Sequence, residues 1–262
     1  MHFHFFINLC AVVPMRREPK ESSEMVSQLV FGEYGSVLEI RDSFVYVKNH
    51  FDAYTGWVDA KMICQISKEE YANLLSKPVY RINVPLAEAL SESDNSLLRL
   101  PGGAVLPHYE ANGGVFGFGG TGYKLLHGCV CEADIAKQAG IVATARLFLN
   151  APYLWGGKSV LGIDCSGFVQ VVASINGYLL PRDASQQAEV GQFVDLLRDA
   201  MPGDLVFFEK NGQITHVGIL LSPEQIIHAS GHVKIEQIDE VGIISASSGE
   251  YTHRLATIRS LS

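Results

Sequence analysis

One stretch of the chain, residues 150–178, combines residue types that could do nucleophilic chemistry. A loop rich in glycine and aromatic residues runs into Asp164-Cys165-Ser166-Gly167, and apolar residues at helical spacing follow. Asp164 is a good N-cap, so we expect Cys165 in the first turn of a helix. The helix dipole and the free N–H groups of a first turn favour a thiolate there, which would make Cys165 a nucleophile. The competing interpretation is a small, inert core cysteine.

A thiol nucleophile needs a base within hydrogen-bond reach, and that base needs an orienting partner. His216 begins one predicted strand and His228 ends the next, and the link between the two strands predicts a tight turn. The strands should therefore be adjacent and antiparallel. The two histidines share a face only if the register aligns them, which the sequence leaves open, and each could instead be a core or edge residue. His232 is expected to be exposed in a turn, and His253 has no context.

Length and composition exclude several classes of protein. The 262 residues are enough for one large domain or two to three small ones. Apolar residues make up 47 %, which rules out global disorder, and the net charge of −8 leaves no basic surplus for nucleic-acid phosphates. No continuous apolar stretch is as long as the roughly 18 residues of a membrane-spanning helix, so no membrane span is expected.

The cysteines outside the central stretch are predicted to be structural. Five cysteines is an odd number, so a full set of disulfides is not expected. Cys10 and Cys64 lie in apolar runs and are predicted to be in the core. Cys129 and Cys131 lack a second pair at zinc-site spacing. The motifs require no metal ion and no cofactor.

The first half of the chain has the pattern of all-β structure. Strands are predicted at 7–13, 28–30, 35–40 and 44–48, which suits a small closed barrel over about the first 66 residues. The apolar segment 3–13 is interpreted as a buried first strand rather than a signal peptide, because no Lys or Arg precedes it. Residues 67–75 should form a helical linker. A second β-rich region follows, whose glycine-rich run at 113–123 predicts a hairpin rather than a phosphate loop.

The last part of the chain predicts helices followed by an antiparallel sheet, an α+β layout. An amphipathic helix is predicted over residues 133–149. Its expected apolar positions are Ile135, Ala139, Val142, Ala143, Leu147 and Phe148. A short helix capped by Ser185 or Asp183 should come after the central stretch. Asn211-Gly212 predicts a hairpin turn.

Six short motifs in this last region occur together in one order. They are Tyr153-x-Trp155-Gly156-Gly157, Asp164-Cys165-Ser166-Gly167-Phe168, Pro181-Arg182-Asp183, Pro202-Gly203-Asp204-Leu205, His216-Val217-Gly218-Ile219 and Ile227-His228-Ala229-Ser230. The set resembles the NlpC/P60 cysteine peptidase domain, whose fold is a papain-like α+β core. Gly32-Glu33 before a strand and the later Gly56-Trp57-Val58 resemble a bacterial SH3-like (SH3b) domain.

The resemblance implies a three-domain chain. It predicts an SH3-like barrel at 1–66, a linker helix and a degenerate second SH3-like barrel at 67–131, and a papain-like NlpC/P60 domain at 132–262. Two SH3-like domains ahead of the catalytic one are similar to the γ-D-glutamyl-L-diamino acid endopeptidases of bacterial cell-wall metabolism, the dipeptidyl-peptidase VI group.

Roles for single residues follow from the same resemblance. It makes Cys165 the nucleophile, His216 the general base and acid, and His228 the orienting residue. The Cys165 backbone N–H, aided by the Tyr153 hydroxyl, would meet the oxyanion. Residues implied to line the substrate pocket are Tyr153, Asp164, Ser166, Asp183 and Ser185. Asp164 then has two competing roles, N-cap and contact for the substrate amine.

Three further residues have less specific support. Trp155 could form a pocket wall or pack in the core. In the resembling subgroup the first SH3-like domain blocks the cleft, and Glu24 and Tyr54 are our candidates for that contact. Glu33 is a rival acid, and either acid could instead be a solvated surface charge.

The implied function is hydrolysis of the γ-D-Glu–diamino acid bond of murein tripeptides or tetrapeptides with a free N-terminal L-Ala. The alternatives are a non-catalytic cell-wall peptide-binding protein and an amidase or acyltransferase on the same fold. A free reactive thiol favours a cytoplasmic location. A periplasmic or secreted location is the alternative if a signal peptide precedes this numbering. The preference between diaminopimelate and Lys and the oligomeric state stay open.

Overall fold

The fold is described from a computed structural model. It describes residues 4–127, 130–133 and 138–261. These residues form two compact units. The first comprises residues 4–127, 130–133 and 158–160, and the second comprises residues 138–157 and 161–261.

The first unit begins with a small antiparallel β-barrel. Its strands are β1 (Phe5–Ile7), β2 (Val12–Arg16), β3 (Met25–Val30), β4 (Tyr34–Arg41), β5 (Phe44–Asn49), β6 (Thr55–Asp59) and β7 (Cys64–Ile66). They hydrogen-bond in the order β3-β2-β6-β5-β4-β1-β7. Alternate side chains fill one apolar core, which includes Phe6, Val13, Leu29, Val45 and Val58. The predicted all-β character of this region is confirmed.

The strand predicted at 7–13 is in fact two strands, because the chain bends between Ile7 and Val12. The Asn8 side chain stabilises the bend: its oxygen accepts from the Cys10 N–H at 2.8 Å, and its amide donates to the Leu29 carbonyl at 3.2 Å. The prediction that Cys10 and Cys64 are core residues is wrong. Both are exposed, since Cys10 lies in this bend and Cys64 in the edge strand β7.

A helix and a second group of strands complete most of the first unit. Helix α1 (Lys68–Leu75) confirms the predicted linker helix and has a capping box between Ser67 and Glu70. The strands are β8 (Tyr80–Ile82), β9 (Leu86–Ser91), β10 (Leu97–Pro101), β11 (Val115–Phe118), β12 (Thr121–His127) and β13 (Val130–Glu132). They form a four-stranded sheet, β10-β9-β12-β11, and a separate pair, β13-β8.

The glycine-rich run forms the predicted hairpin. Gly119 and Gly120 connect β11 to β12 with φ values of 61° and 84°, a left-handed pair that suits a two-residue turn. The apolar core of this second group also includes Phe31 from the first barrel. Cys131 is half-buried and its thiol lies 3.7 Å from the Arg81 carbonyl oxygen, and Cys129 lies outside the described residues.

A buried ion pair joins distant parts of the sequence within the first unit. Strand β14 (Lys158–Ser159) belongs to this unit, and the Lys158 Nζ lies 3.0 Å from Glu33 Oε1. The Lys158 N–H donates to Gln28 Oε1 at 2.8 Å, and Glu33 Oε2 accepts from the Val30 N–H at 2.9 Å. Glu33 is therefore a buried structural acid, and the interpretation of it as a solvated surface charge is wrong.

The second unit contains three helices and an antiparallel sheet. The helices are α2 (Gln138–Arg146), α3 (Cys165–Ile175) and α4 (Ala184–Gln187). The strands are β15 (Gly162–Ile163), β16 (Gln192–Val194), β17 (Leu205–Lys210), β18 (Gln213–Ser222), β19 (Gln225–Ser230), β20 (His232–Ile238), β21 (Gly242–Ile244) and β22 (Tyr251–Ser260). Helices precede the main sheet, as predicted, and Asn211-Gly212 forms the expected turn between β17 and β18.

The main sheet closes on itself. Its order is β16-β22-β17-β18-β19-β20-β21, and β21 pairs again with β22, so that six strands form a ring. Alternate residues of the strands fill the ring with an apolar core that includes Val206, Phe208, Leu220 and Ile226. Helix α3 packs against β18 and β19 from outside. The closure matters for the site because it brings β22 next to strands far from it in sequence.

Helix α2 differs from the prediction in extent and in its buried face. It ends at Arg146 rather than 149, and residues 134–137 of the predicted helix lie outside the described residues. Its buried side is marked by Ile141 and Ala145, whereas Leu147, predicted to be apolar-facing, is 52 % exposed. The helix stops because residues 147–150 form turns, which move the following side chains off the helical face. None of the helices in the described part of the chain is long and apolar enough to cross a membrane.

Candidate active site

Helix α3 places the thiol of Cys165 in its first turn. Asp164 is the N-cap residue in extended conformation, and its Oδ1 accepts from the Gly167 N–H at 2.7 Å, as predicted. Phe168, Val169 and Val172 anchor the helix in the interior. Cys165 as a whole residue is buried and retains 8 % exposure. Its position is therefore fixed by a capped and deeply buried helix.

The Asp164 carboxylate is engaged by donors from several directions. Arg182 Nη2 lies 2.6 Å from Oδ2, and Arg182 Nη1 lies 3.0 Å from Oδ1. The Gly156 N–H also donates to Oδ2 at 2.8 Å, and the Ser166 hydroxyl lies 3.4 Å from Oδ1. Arg182 is 1 % exposed and donates further to Ser166 Oγ at 2.9 Å. The sequence motif contains this arginine, but no sequence signal pairs it with Asp164.

The electrostatics of Cys165 differ from the prediction of a resting thiolate. Burial, and to a lesser extent the neighbouring Asp164 carboxylate, raise the pKa of the Cys165 thiol to about 11. Hydrogen bonds from the Val217 and Ser166 N–H groups and the Arg182 charge act in the opposite direction. Desolvation outweighs these two hydrogen bonds and the Arg182 charge, so the thiol is protonated at neutral pH and needs a base.

Strand β18, which carries His216, lies next to the Cys165 sulfur. Its register answers whether His216 and His228 share a face, which the sequence left open. The bond from the Val217 N–H places the sulfur beside the residue that follows His216. His228 pairs with Gly218 across β18 and β19, so His216 and His228 lie on the same face. His216 Nε2 lies 2.8 Å from His228 Nδ1. The two rings are buried and hydrogen-bonded, as the proposed base–orienter pair requires.

Because Gly218 has no side chain, there is room beside it for the contact between His216 and His228. A Cβ atom at this position would lie 3.0 Å from the His228 Cβ and 2.7 Å from the Ile226 Cδ1. Any side chain here would therefore push on the orienting histidine.

Sequence reasoning missed two charged residues behind His228. Glu236 Oε2 lies 2.9 Å from His228 Nε2 and 3.1 Å from Lys234 Nζ, and Glu236 Oε1 accepts from the Ala246 N–H at 3.1 Å. Burial alone would raise the pKa of Glu236, but the bonds from Ala246, Lys234 and His228 hold it below its usual value. The carboxylate is thus ionised at neutral pH.

His253 is a third histidine at the site, for which the sequence predicted no role. It lies on β22, and ring closure brings it over His216, with ring centroids 4.1 Å apart and an interplanar angle of 29°. Burial lowers its pKa.

The two central histidines are neutral at neutral pH. Burial lowers the pKa of His228 to about 4, although Glu236 raises it in part. Burial, and then the neighbouring His228, His253 and Lys234, lower the pKa of His216 well below 6.5. The resting site therefore holds a thiol and a neutral imidazole, which can exchange one proton during a reaction.

Among the predicted pocket residues, Tyr153 and Ser166 are at the site. Burial, and then the nearby charges of Cys165 and Asp164, raise the pKa of the Tyr153 hydroxyl to about 12. Asp183, not Ser185, is the N-cap of α4, and Ser185 is exposed. Trp155 is 59 % exposed, so the core-packing interpretation of this residue is wrong.

Two predicted substrate contacts belong to the first unit. Glu24 is exposed and pairs with Arg17 at 2.9 Å, and Tyr54 packs against the barrel core. Among the described residues, no group of three His, Cys, Asp or Glu side chains is arranged to hold a metal ion.

These features define a class of protein: a thiol at a helix N-terminus lies beside the strand that carries a histidine, and a second histidine orients the first, as in cysteine-dependent acyl-transfer enzymes. Family models give the particular assignment. Residues 150–251 match the NlpC/P60 family, and residues 15–63 match the bacterial dipeptidyl-peptidase SH3 domain. The chain therefore carries an NlpC/P60 domain preceded by an SH3-like barrel.

Three characterised relatives are similar to this chain. A γ-D-glutamyl-L-lysine dipeptidyl-peptidase of Bacillus subtilis is 38 % identical over 48 % of this chain and 43 % of the relative. One of the same name from Bacillus cereus is 26 % identical over 87 % of this chain and 75 % of the relative. Dipeptidyl-peptidase 6 of Lysinibacillus sphaericus is 26 % identical over 85 % and 88 %, respectively. The match thus spans less than half of the first relative and most of the other two.

The fold also matches a solved structure along almost its whole length. A crystal structure of an NlpC/P60 family protein from Bacillus cereus has a TM-score of 0.81 and 19 % identity. The match covers 98 % of this chain and 99 % of that one. At this identity the likeness concerns the fold.

Proposed function

We propose that this protein is a cysteine peptidase that cleaves the γ-D-Glu–diamino acid bond of murein peptides and releases L-Ala-γ-D-Glu. The observation that carries the proposal is the buried Cys165 next to the strand of the hydrogen-bonded His216–His228 pair, where its sulfur accepts from the N–H of Val217. The relatives named γ-D-glutamyl-L-lysine dipeptidyl-peptidase support the choice of bond. The match to the bacterial dipeptidyl-peptidase SH3 domain supports the same subgroup.

The reaction begins with proton transfer from the thiol. His216 takes the Cys165 proton as the sulfur attacks the carbonyl carbon of the γ-amide, which forms a tetrahedral oxyanion. The first N–H groups of a helix have no intrahelical partner, so the Cys165 N–H can meet the oxyanion. The His216 imidazolium then returns the proton to the leaving amine. Water hydrolyses the resulting thioester, with His216 again acting as base.

The contacts to the substrate remain proposals. Tyr153, Ser166 and Ser185 would bind the L-Ala-γ-D-Glu portion, with Asp183 and Trp155 at the edge of the pocket. Asp164 is a weaker candidate for the substrate amine than the sequence predicts, because Arg182 and two backbone donors already occupy its carboxylate.

The first unit would restrict which peptides are cleaved. Glu24 and Tyr54 would contact the free N-terminal amine and close the cleft beyond L-Ala. We also propose the finer fold assignments, namely a second SH3-like barrel at 67–131 and a papain-like arrangement of the catalytic domain at 132–262. We also propose a reducing, cytoplasmic location, which the exposed thiols of Cys10 and Cys64 support.

The test is mass spectrometry of the products from a small substrate panel. Purified protein with reductant should release L-Ala-γ-D-Glu from L-Ala-γ-D-Glu-L-Lys or its diaminopimelate counterpart, but not from the N-acetylated tripeptide. Cys165→Ala should abolish release, whereas Cys64→Ala, a change at an exposed cysteine of the first unit, should leave it intact. Release by Cys165→Ala, or binding of the tripeptide without turnover by the native protein, would refute the proposal.

A further inference from the structure

Glu236 lies at the end of a line of hydrogen bonds that starts at the base. His216 Nε2 is bonded to His228 Nδ1, and His228 Nε2 is bonded to Glu236 Oε2, at 2.8 and 2.9 Å. All three side chains are buried. The register explains the line: His228 lies opposite Lys234, and Glu236 follows two residues later on the same face of β20.

The chemistry of these groups permits only one arrangement of protons. An ionised carboxylate can only accept, so His228 Nε2 must carry the proton that it donates to Glu236. A neutral imidazole has one N–H, which leaves His228 Nδ1 as an acceptor. His216 Nε2 must then donate to it, and His216 Nδ1 keeps a free lone pair.

That lone pair is the only place on His216 where a thiol proton can go. The Cys165 sulfur accepts from the Val217 N–H and thus lies along the same stretch of β18. With the opposite tautomers, His216 Nδ1 would carry a proton and could not act as a base toward the thiol.

We infer that Glu236 is a positioning residue that sets the tautomers of His228 and His216 and thereby leaves Nδ1 of His216 free to accept the Cys165 proton. The carboxylate also stabilises the imidazolium that forms during attack. Lys234 opposes that second effect, because its ammonium shares the same Glu236 oxygen. The charged and titratable groups that act on His216 are His228 from β19, Lys234 from β20 and His253 from β22, whereas Glu236 from β20 acts through His228 and Cys165 from α3 lies beside Val217.

The inference rests on the proposed function only where peptide turnover is measured. The test therefore probes Cys165 and the two histidines without substrate. Iodoacetamide alkylation of Cys165 can be followed on the tryptic peptide covering residues 159–182, which contains no other cysteine. Imidazole ¹⁵N–¹H spectra, assigned with His216→Gln and His228→Gln, report both tautomers in the native protein. The variants are Glu236→Gln, Glu236→Leu and Lys234→Met. Glu209→Gln is the control, because Glu209 lies on the same ring of strands but pairs with Arg254 and accepts from the Gly212 N–H.

The expected results form a graded series. Glu236→Gln keeps an acceptor but loses the charge, and should slow Cys165 alkylation at neutral pH by about 10-fold; Glu236→Leu should slow it by about 100-fold, the range found when outer partners of functional histidines are removed. Lys234→Met should speed alkylation by about threefold, since removal of a nearby cation favours the imidazolium. Glu209→Gln should behave as the native protein does.

Three outcomes would overturn the inference. One is an Nδ1–H tautomer of His216 in the native protein at neutral pH, which requires no variant to fold. Another is an alkylation rate in folded Glu236→Gln equal to that of Glu209→Gln. The third is an equal loss in Lys234→Met and Glu236→Gln, which indicates a structural role. If alkylation and tautomers behave as expected but no tripeptide is cleaved, the proposed function fails and the inference stands.

Discussion

The two sides of the candidate site hold their reactive groups in different ways. On the helix side, Asp164 and Arg182 form a buried ion pair with two short contacts, and the pair fixes the loop and helix that carry Cys165. On the sheet side, two neutral histidine rings are lined up by a carboxylate at the far end. The helix side thus fixes the position of Cys165, and the sheet side fixes which nitrogens of the two histidines carry protons. Buried charge serves stability in the first case and protonation state in the second.

The largest expected effect is on the helix side. Arg182→Met should lower the free energy of unfolding by about 3–5 kcal/mol, because it leaves the Asp164 carboxylate buried without its cation. Denaturant unfolding measures this. The control is Arg254→Met, which breaks the exposed pair with Glu209 and should cost less than about 1 kcal/mol. Equal losses of stability in the two variants would show that the buried Asp164–Arg182 pair has no special role in holding the helix side.

The next effect is the pH dependence of stability from the sheet side. His228 has a folded-state pKa of about 4, compared with 6.5 for a free histidine, so the unfolded state binds more protons between these values. The stability that neutral His228 contributes is therefore fully present above pH 6.5 and is lost as the pH falls toward 4. The difference of 2.5 units corresponds to roughly 3 kcal/mol.

The measurement is the free energy of unfolding across that pH window. His228→Gln should flatten the acid slope, whereas His232→Gln, at an exposed position on β20, should leave it unchanged. An unchanged slope in His228→Gln would show that this histidine is not held neutral by burial.

A smaller effect is expected at the glycine between the histidines. Gly218→Ala should cost about 1–3 kcal/mol through overpacking against Ile226 and His228. Because the added Cβ presses on His228, peptide turnover should fall by more than the loss of folded protein alone would explain. Gly113→Ala is a matched control, since a Cβ there meets only Val115 at 3.4 Å. Full activity in a destabilised Gly218→Ala would mean that the His216–His228 spacing is not critical.

The sequence predicted the parts of the site that rest on local rules. The N-cap at Asp164, the first-turn position of Cys165 and the turn between the two histidine strands each follow from a few neighbouring residues. The same holds for α1, whose capping box is local. Composition and turn residues were also enough to predict helices followed by an antiparallel sheet.

The missing parts depend on contacts between distant segments. Lys234 and Glu236 look in the sequence like the polar face of a solvated strand, and only the pairing of β19 with β20 brings them behind His228. His253 reaches His216 only because the ring of strands closes at β22. The thiolate was predicted from the helix dipole and the free N–H groups of the first turn, but burial, which the sequence does not reveal, raises the pKa of Cys165.

The most direct test of the account is to trap the covalent intermediate. Protein mixed with L-Ala-γ-D-Glu-L-Lys, quenched in acid within one turnover and digested, should yield the 159–182 peptide carrying an L-Ala-γ-D-Glu acyl group on Cys165. His216→Ala should form no such adduct. Dipeptide release without any adduct on that peptide, or an adduct at another residue, would contradict Cys165 as the nucleophile.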